Sequence, residues 1–273
     1  MQQLELTQIA TKYGVKTIDG NLLVWWKERA DQAHWYARFV NQIEAYHSSV
    51  HRNNVSDIER ILTRYLPHEG TILEAGCGTG WVVAALNRRG YNVVGVDYSE
   101  ALVTEVLRRF PNLPISVGDV CSLRFPDNYF SGYISLGVIE HRREGCDPFL
   151  HEAFRVVRPG AVLCISVPHF NQLRKMKLAF GAYRSTPRND RLEFYQYGFT
   201  KDWFSQKLKE HGFDVVSFEY YGTSRCLQEE FPLLMDAIRK SKFLWRTPRL
   251  LRYLDKLGVG AHMIMAIVKK PEF

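Results

Sequence analysis

Residues 72–81 (ILEAGCGTGW) constrain the fold more than any other stretch of the chain. An apolar pair leads into an acidic residue, Glu74, and three glycines follow at alternate positions. Glycine accepts positive φ and lets a ligand approach bare backbone. A helix that begins after such a loop offers unpaired N–H groups to an anionic group. The segment therefore predicts a buried strand, a tight loop and a helix N-terminus suited to a nucleotide-type ligand.

The residues after the loop complete a predicted βαβ unit. Residues 82–89 favour a short helix, Gly90 stands where a helix commonly ends, and residues 91–97 form a β-branched run that ends in an acid. This acid, Asp97, follows Gly76 by about 20 positions, the spacing at which an acid at the tip of the second strand holds ribose hydroxyls. The structural alternative is a tight turn followed by a strand that merely ends in a polar residue.

The spacing of the glycines separates two cofactors. A dinucleotide fingerprint, G-x-G-x-x-G, has a third glycine that makes room near the pyrophosphate. Trp81 occupies that position here. The pattern E-x-G-x-G-x-G resembles motif I of the class I S-adenosylmethionine-dependent methyltransferases. The resemblance implies that the loop holds the methionine end of S-adenosyl-L-methionine and that Asp97 takes the ribose.

Later segments extend the resemblance over about residues 55–168. Asp119 and Val120 follow a short strand and match the family segment that contacts the adenine. Residues 132–141 resemble a segment of the same family, although Gly132 replaces its usual Asp. Residues 150–160 closely resemble the ubiquinone/menaquinone-biosynthesis-like (methyltransferase type 11) subgroup. By this resemblance, cofactor binding is expected at Glu74, Gly76, Cys77, Gly78, Gly80, Asp97, Tyr98, Asp119, Val120 and Leu136.

His141 is the candidate catalytic base, because it lies just past the fourth strand beside the expected crevice and histidine titrates near neutrality. The structural alternative is a rim histidine held by hydrogen bonds. One resembled quinone O-methyltransferase group binds a divalent metal through Glu-x-x-Glu-His. Gly137 replaces the first Glu here, so no metal is expected. Tyr36, Tyr46 and Tyr195 are further candidates, with aromatic packing as the alternative.

The net charge of +7 raises the question of nucleic acid. Residues 169–199 hold six Arg/Lys against two acids, and residues 225–257 hold eight against four. The excess therefore lies in two insertions, where it could face an anionic small molecule or be a solvated surface. No RNA-binding module is recognisable, and the Asn/Asp-Pro-Pro-Tyr/Phe loop of amino-methylating enzymes is absent. We expect a small-molecule acceptor methylated at oxygen or carbon, and no nucleic acid. The alternatives are an RNA or protein methyltransferase, or a non-catalytic S-adenosylmethionine-binding scaffold.

The five cysteines are scattered and form no C-x-x-C pair, which favours a reducing compartment. The first residues, MQQLE, lack the features of a signal peptide, and no apolar run has the length of a membrane span. A cytoplasmic location is the expectation; the oligomeric state is left open.

These patterns together predict an α/β protein with a doubly wound, seven-stranded, mostly parallel sheet of the Rossmann-like methyltransferase type. Residues 56–273 are expected to form the methyltransferase domain, with insertions at about 169–199 and 222–260. Residues 1–55 are expected to form an N-terminal helical extension or lid. Within them, residues 1–20 are predicted as a loose arm or short helix, and residues 21–50 as helical. The N-terminal helices and the insertions are expected to form a cap.

Overall fold

The computed structural model describes residues 15–28, 32–51, 56–183, 192–240, 254–255 and 257–272. The chain divides into two compact units. The glycine-loop unit comprises Asp31–Ser166, Ser205–Ser217 and Ala266–Phe273. The insertion unit comprises Met1–Ala30, Val167–Phe204 and Phe218–Met265.

Strands and helices alternate over most of the described chain. The strands are β1 Val15–Asp19, β2 Leu22–Lys27, β3 Thr71–Ala75, β4 Asn92–Asp97, β5 Ile115–Val117, β6 Phe130–Leu136, β7 Val157–Pro168, β8 Glu193–Gly198, β9 Asp214–Tyr221 and β10 Met263–Lys269. The α-helices are α1 Gln32–Phe39, α2 Ile43–His51, α3 Asp57–Tyr65, α4 Trp81–Asn87, α5 Glu100–Arg109, α6 Asp147–Val156, α7 Gln172–Ala179, α8 Lys201–Glu210, α9 Thr223–Glu230 and α10 Pro232–Lys240. Short 3₁₀ helices cover Val40–Gln42 and Ile139–His141.

Seven strands form one sheet in the order β5-β4-β3-β6-β7-β10-β9. The pairs β3–β4, β4–β5, β3–β6 and β6–β7 are parallel. The chain moves outward from β3 through β4 to β5, and then returns to β6 on the other side of β3. Such a reversal is a topological switch point, and ligands of open α/β sheets bind at the carboxyl ends of the strands beside it.

The central strands β3 and β6 are buried. Ile72 and Leu73 of β3 are fully buried, and β6 is buried from Phe130 to Ser135 although it contains two serines. Burial of this kind is typical of parallel strands covered on both faces. At Gly132 of β6, where the resembled family carries Asp, an added Cβ would lie 3.1 Å from the Cγ1 atom of Ile72. The glycine therefore allows close approach of the two central strands.

The insertion unit contains a second, antiparallel sheet in the order β1-β2-β8. Asp19 pairs with Leu22, so a two-residue turn joins β1 to β2, and Gly20 in this turn has a φ of 55°. Trp25 of β2 is buried against β8, where a Cβ added to Gly198 would overlap the indole ring. Glycine at this position lets the strand pack directly on the ring.

The predicted helix over residues 21–50 is wrong in its first part, because Leu22–Lys27 is strand β2. The prediction for residues 1–20 is also wrong where Val15–Asp19 forms β1. A Gly–Asn turn between apolar runs favours a hairpin, and β8 supplies a pairing partner from much later in the chain. The second part of the predicted helix is confirmed as α1 and α2.

The insertions contain regular elements. The first insertion contains helix α7 and strand β8, and the strand was not predicted. The predicted domain boundary at residue 55 lies outside the described residues. That boundary and the cap therefore stay predictions.

The predicted seven-stranded, mostly parallel α/β sheet is confirmed. In the described part of the chain, no helix combines the length and apolar character needed to cross a bilayer.

Candidate functional site

The glycine loop leaves the carboxyl end of β3 beside the switch point. The φ values of the three loop glycines are positive: 81° at Gly76, 52° at Gly78 and 68° at Gly80. Residues other than glycine rarely adopt this backbone conformation. A Cβ on Gly76 would overlap Val138, and a Cβ on Gly80 would lie 2.5 Å from the Cδ2 atom of Leu113. A Cβ on Gly78 would meet no atom within 4 Å. Two glycines are therefore required by internal packing, whereas Gly78 presents bare backbone to open space.

Asp97 at the end of β4 is brought directly to this loop. Its Oδ2 atom accepts a hydrogen bond of 2.8 Å from the backbone N–H of Gly78, and its Oδ1 atom accepts one of 3.0 Å from that of Ser99. Burial raises the pKa of Asp97, while the backbone N–H groups of Ser99, Gly78 and Tyr98 oppose this shift. Asp97 therefore contacts the glycine loop directly.

Glu74 lies buried at the end of β3, beneath the loop. Burial raises the pKa of its carboxyl well above the usual value, the backbone N–H of Val83 opposes this, and the nearby charge of Asp97 adds to it. The Oε2 atom of Glu74 has no hydrogen-bond partner among the described residues. A buried polar atom without a partner is costly, so this atom is suited to a ligand that donates a hydrogen bond or carries positive charge.

Helix α2 packs on the outer side of the loop. The Nε2 atom of His47 lies 2.8 Å from the carbonyl oxygen of Thr79, and both residues are buried. The His47 ring stacks on Phe110 at 3.9 Å between centroids, and Tyr46 stacks on Trp81 at 6.0 Å. Trp81, the residue that argues against a dinucleotide loop, is thus also a docking point for the N-terminal helices.

The other expected cofactor residues differ in exposure. Asp119 is exposed, and its Oδ1 atom accepts a hydrogen bond of 2.8 Å from the backbone N–H of Cys121. Tyr98 is exposed, Leu136 is half-buried, and Val120 is buried. Cys77 is also buried, and burial raises the pKa of its thiol well above the usual value. A Cβ added to Gly95 on the neighbouring strand would lie only 2.8 Å from the Sγ atom of Cys77, so this side chain packs closely against the strand. Cys77 therefore contributes to packing and does not supply a reactive thiolate.

His141 ends the 3₁₀ turn that follows β6. Its ring meets Trp35 of α1 edge-on at 4.6 Å between centroids, and its Nε2 atom lies 3.8 Å from the Oε1 atom of Glu140. Burial raises the pKa of Glu140 to about 8, although the charge of Arg38 partly opposes this. The Oε2 atom of Glu140 has no hydrogen-bond partner among the described residues. A second under-satisfied carboxyl group therefore lies next to the candidate base.

Three other sequence candidates are resolved by their packing. Tyr46 stacks on Trp81, and Tyr195 of the insertion unit is buried with the Nζ atom of Lys27 at 3.7 Å from its ring centre. Tyr36 is half-buried on α1. Among the described residues, no group of three or more His, Cys, Asp and Glu side chains is arranged to hold a metal ion.

A cavity of about 380 Å³ in the glycine-loop unit is lined by other residues. The lining includes His47, Arg88, Arg109, Phe110 and Leu113. The candidate cofactor site is therefore assigned from the switch point, the glycine loop and the acids that end β3 and β4, and not from this cavity.

The central part of the chain is similar to known methyltransferase domains. Residues 73–165 match the family model described as a methyltransferase domain. The chain is 34% identical over 147 residues to a probable S-adenosylmethionine-dependent methyltransferase of Mycolicibacterium smegmatis, covering 53% of this chain and 52% of that protein. It is 35% identical over 96 residues to a demethylmenaquinone methyltransferase of Beutenbergia cavernae, covering 35% and 39%.

Among solved structures, the PH0226 protein of Pyrococcus horikoshii superposes with a TM-score of 0.57 at 17% identity, covering 86% of this chain and 98% of that chain. This likeness bears on the fold alone. The chain spans about half the length of the Mycolicibacterium relative and less of the menaquinone one. The predicted resemblance to S-adenosylmethionine-dependent methyltransferases is confirmed over residues 73–165.

Sequence reasoning missed two residues that the structure brings to this region. His47 has one sequence signal, since it follows Ile43 by one helical turn and so shares its buried face. Glu140 directly precedes His141 in the sequence. Its burial, however, depends on tertiary packing and has no local sequence signal.

Proposed function

We propose that this chain is an S-adenosylmethionine-dependent methyltransferase that methylates an oxygen or carbon atom of a small-molecule acceptor. The observation that carries the proposal is the glycine loop joined to Asp97 at the carboxyl edge of a switch-point sheet, within residues that match the methyltransferase domain family. The proposal assigns cofactor binding to the ten residues predicted from the sequence and general-base catalysis to His141.

The residues at the loop fit the cofactor in chemical character. Open space at Gly78 leaves room for a ligand against the backbone, and the unpartnered Glu74 oxygen suits a positively charged group. Asp97 and Asp119 offer acceptor oxygens for hydroxyl and amino groups. When bound, S-adenosylmethionine supplies an electrophilic methyl group on its sulfonium sulfur. Loss of the methyl group leaves this sulfur as a neutral thioether.

The role of the chain's own residues is then orientation, exclusion of water and proton transfer. Methyl transfer is an in-line displacement, so holding the acceptor in near-attack geometry supplies most of the rate. A hydroxyl or acidic carbon of the acceptor also loses a proton. The unprotonated ring nitrogen of His141 would accept this proton. Trp35 packs against the imidazole edge and limits its rotation.

A small-molecule acceptor is supported by the relative named demethylmenaquinone methyltransferase. In the first insertion, Arg174 and Lys177 are paired with Glu230, so their charge does not bear on the choice of acceptor. A cytoplasmic location is proposed on the five free cysteines, which suit a reducing compartment.

Titration calorimetry tests cofactor binding. Heat is expected with S-adenosylmethionine and with S-adenosylhomocysteine, and none with NADH, because Trp81 replaces the third glycine. Absence of heat with both sulfur ligands would contradict the proposed function. Binding without methyl transfer to any fraction would instead support a non-catalytic scaffold.

The acceptor class is tested by incubating the protein with methyl-labelled cofactor and a lysate. The lysate is then separated into small-molecule, RNA and protein fractions, and the label in each is measured. Label is expected in the small-molecule fraction, and label confined to RNA or protein would overturn that part of the proposal. His141→Ala should lower turnover while leaving cofactor affinity unchanged, and the exposed His151 of α6 provides a matched His→Ala control.

A further inference from the structure

Helix α2 makes a polar contact with the glycine loop: the Nε2 atom of His47 lies 2.8 Å from the carbonyl oxygen of Thr79. We infer that His47 is a positioning residue that holds the glycine loop in its ligand-binding shape. The inference rests on the proposed function and deepens it, because it assigns to a residue of the N-terminal helices a direct part in cofactor affinity.

The direction of this hydrogen bond follows from its chemistry. A carbonyl oxygen only accepts, so the Nε2 atom of His47 must carry the proton and donate it. His47 and Thr79 are both 3% exposed. Water therefore has little access to replace the bond, and loss of the donor leaves a buried carbonyl without a partner, which is costly.

The loop needs such an external hold because of its own composition. Thr79 lies between Gly78 and Gly80, and glycine has more backbone freedom than any other residue. On one side, Gly78 donates its N–H to Asp97. On the other side, His47 donates to the Thr79 carbonyl. The peptide groups that flank the Gly78–Thr79 peptide are thus each held by a side chain, one from strand β4 and one from helix α2.

Ring packing fixes the donor in place. The imidazole of His47 stacks on Phe110 at 3.9 Å with an interplanar angle of 17°. One helical position earlier, Tyr46 stacks on Trp81 directly after the loop. The simplest competing explanation is that His47 serves only as an aromatic contact that attaches α2. The two roles use different atoms, so substitutions separate them.

Two variants divide the roles. His47→Phe keeps an aromatic ring for Phe110 but has no donor. His47→Gln keeps an N–H donor but loses the ring. We expect His47→Phe to raise the Kd for S-adenosylhomocysteine about tenfold, the effect of one unsatisfied buried group. His47→Gln should stay within about threefold of the natural protein. Titration calorimetry measures both.

The matched control is His68→Phe. His68 also stacks on an aromatic ring, Tyr91, at 4.2 Å, but it precedes the amino end of β3 and therefore lies at the opposite edge of the sheet from the loop. Its substitution should leave Kd unchanged. A thermal melt of each variant without ligand reports any general loss of stability.

Amide hydrogen exchange of the unliganded protein gives a second readout at residues 76–80. Exchange there should accelerate in His47→Phe and stay unchanged in His68→Phe. The inference is overturned if His47→Phe alters neither Kd nor loop exchange, or if His47→Gln is as damaging as His47→Phe. If the natural protein binds no S-adenosylhomocysteine, the proposed function fails, and the exchange comparison still decides the role of His47.

Discussion

Two buried glutamates, one in each unit, have opposite electrostatic surroundings. Glu140 beside the candidate catalytic histidine has one carboxyl oxygen without a partner among the described residues, and burial raises its pKa to about 8. Glu230 at the end of α9 accepts hydrogen bonds from Lys16 at 2.5 Å, Arg174 at 3.0 Å and Lys177 at 2.8 Å. The same residue type is under-satisfied in one place and surrounded by cations in the other.

The cluster around Glu230 belongs wholly to the insertion unit. Burial alone would raise the pKa of Glu230, but the charges and hydrogen bonds of Lys16, Arg174 and Lys177 outweigh it and hold the pKa far below the usual value. Tyr183 donates a further hydrogen bond of 2.8 Å to the carboxylate, and Arg174, fully buried, lies over the Trp25 ring at 4.9 Å.

The difference separates two uses of a buried carboxylate. Glu230 joins β1, α7 and the loop after α7 to helix α9, so its network is structural. Glu140 and Glu74 each have a buried carboxyl oxygen without a hydrogen-bond partner among the described residues, which is energetically unfavourable. Both residues lie at the carboxyl edge of the sheet. Perturbed and incompletely partnered groups cluster at functional sites, which supports placing the chemistry in the glycine-loop unit and the structural ionic network in the insertion unit.

The largest effect is expected from Glu230→Gln. Removing this charge leaves three cations without their shared partner, and breaking a buried ion pair typically costs about 3–5 kcal/mol of unfolding free energy. Because the pKa of Glu230 is lowered by folding, its stabilisation is present above the usual glutamate pKa and lost as the pH falls. Urea unfolding at neutral pH measures the loss. Asp236→Asn on the exposed face of α10 is the control and should change stability by less than about 0.5 kcal/mol.

Glu140→Gln should act in the opposite direction. The folded protein holds the Glu140 proton up to about pH 8, whereas the unfolded chain releases it near the usual pKa, so natural stability falls as the pH rises between these values. Glutamine removes this loss. We expect the free energy of unfolding of the variant to equal that of the natural protein at pH 5 and to exceed it by about 2 kcal/mol at pH 8.5. This difference is about half of the free energy that corresponds to the full pKa shift. Thermal melts across this range measure it, and equal pH dependence of the two proteins would contradict the assignment.

Gly78→Ala distinguishes ligand space from packing within the loop. A methyl group at a φ of 52° costs about 1 kcal/mol of stability but meets no protein atom. It projects where the ligand is proposed to lie, so the Kd for S-adenosylhomocysteine should rise at least tenfold, about 1.4 kcal/mol. Gly76→Ala is the companion variant, because its methyl overlaps Val138 and should lower stability more than Gly78→Ala does. An unchanged Kd in Gly78→Ala would place the ligand elsewhere.

The smallest effect is expected from Asp119→Asn. The side chain is exposed, and asparagine retains an oxygen to accept the Cys121 N–H, so stability should change by less than about 0.5 kcal/mol. If Asp119 contacts the adenine, the Kd for S-adenosylhomocysteine should still rise about threefold to tenfold through loss of a charged acceptor. Calorimetry and a thermal melt together detect a binding effect that stability does not report.

Much of the central domain could be predicted from the sequence. The β-branched runs before Gly76 and before the acid Asp97 are strands β3 and β4, and the glycine spacing predicts the loop between them. These features are local, because strand periodicity, glycine conformation and the length of a βαβ unit are set by neighbouring residues. The hydrogen bond from the Gly78 N–H to Asp97 lies within this one unit.

The errors arose where a distant segment supplies the partner. Residues 22–27 lack Pro and Gly and were predicted as part of a helix, but they form a strand that pairs with β1 and with the distant β8. His47 gave little signal for the same reason, since its importance depends on Thr79 and Phe110.

The sequence by itself determined the βαβ unit, its glycine loop and the kind of cofactor that such a loop suits, because each depends on residues within one short segment. Only the tertiary structure decided that α2 supports the loop through His47, that Glu230 is surrounded by cations and that Glu140 is not. Those outcomes depend on which distant side chains exclude water from a given atom. Desolvation and long-range pairing are properties of the folded chain, so no local pattern encodes them.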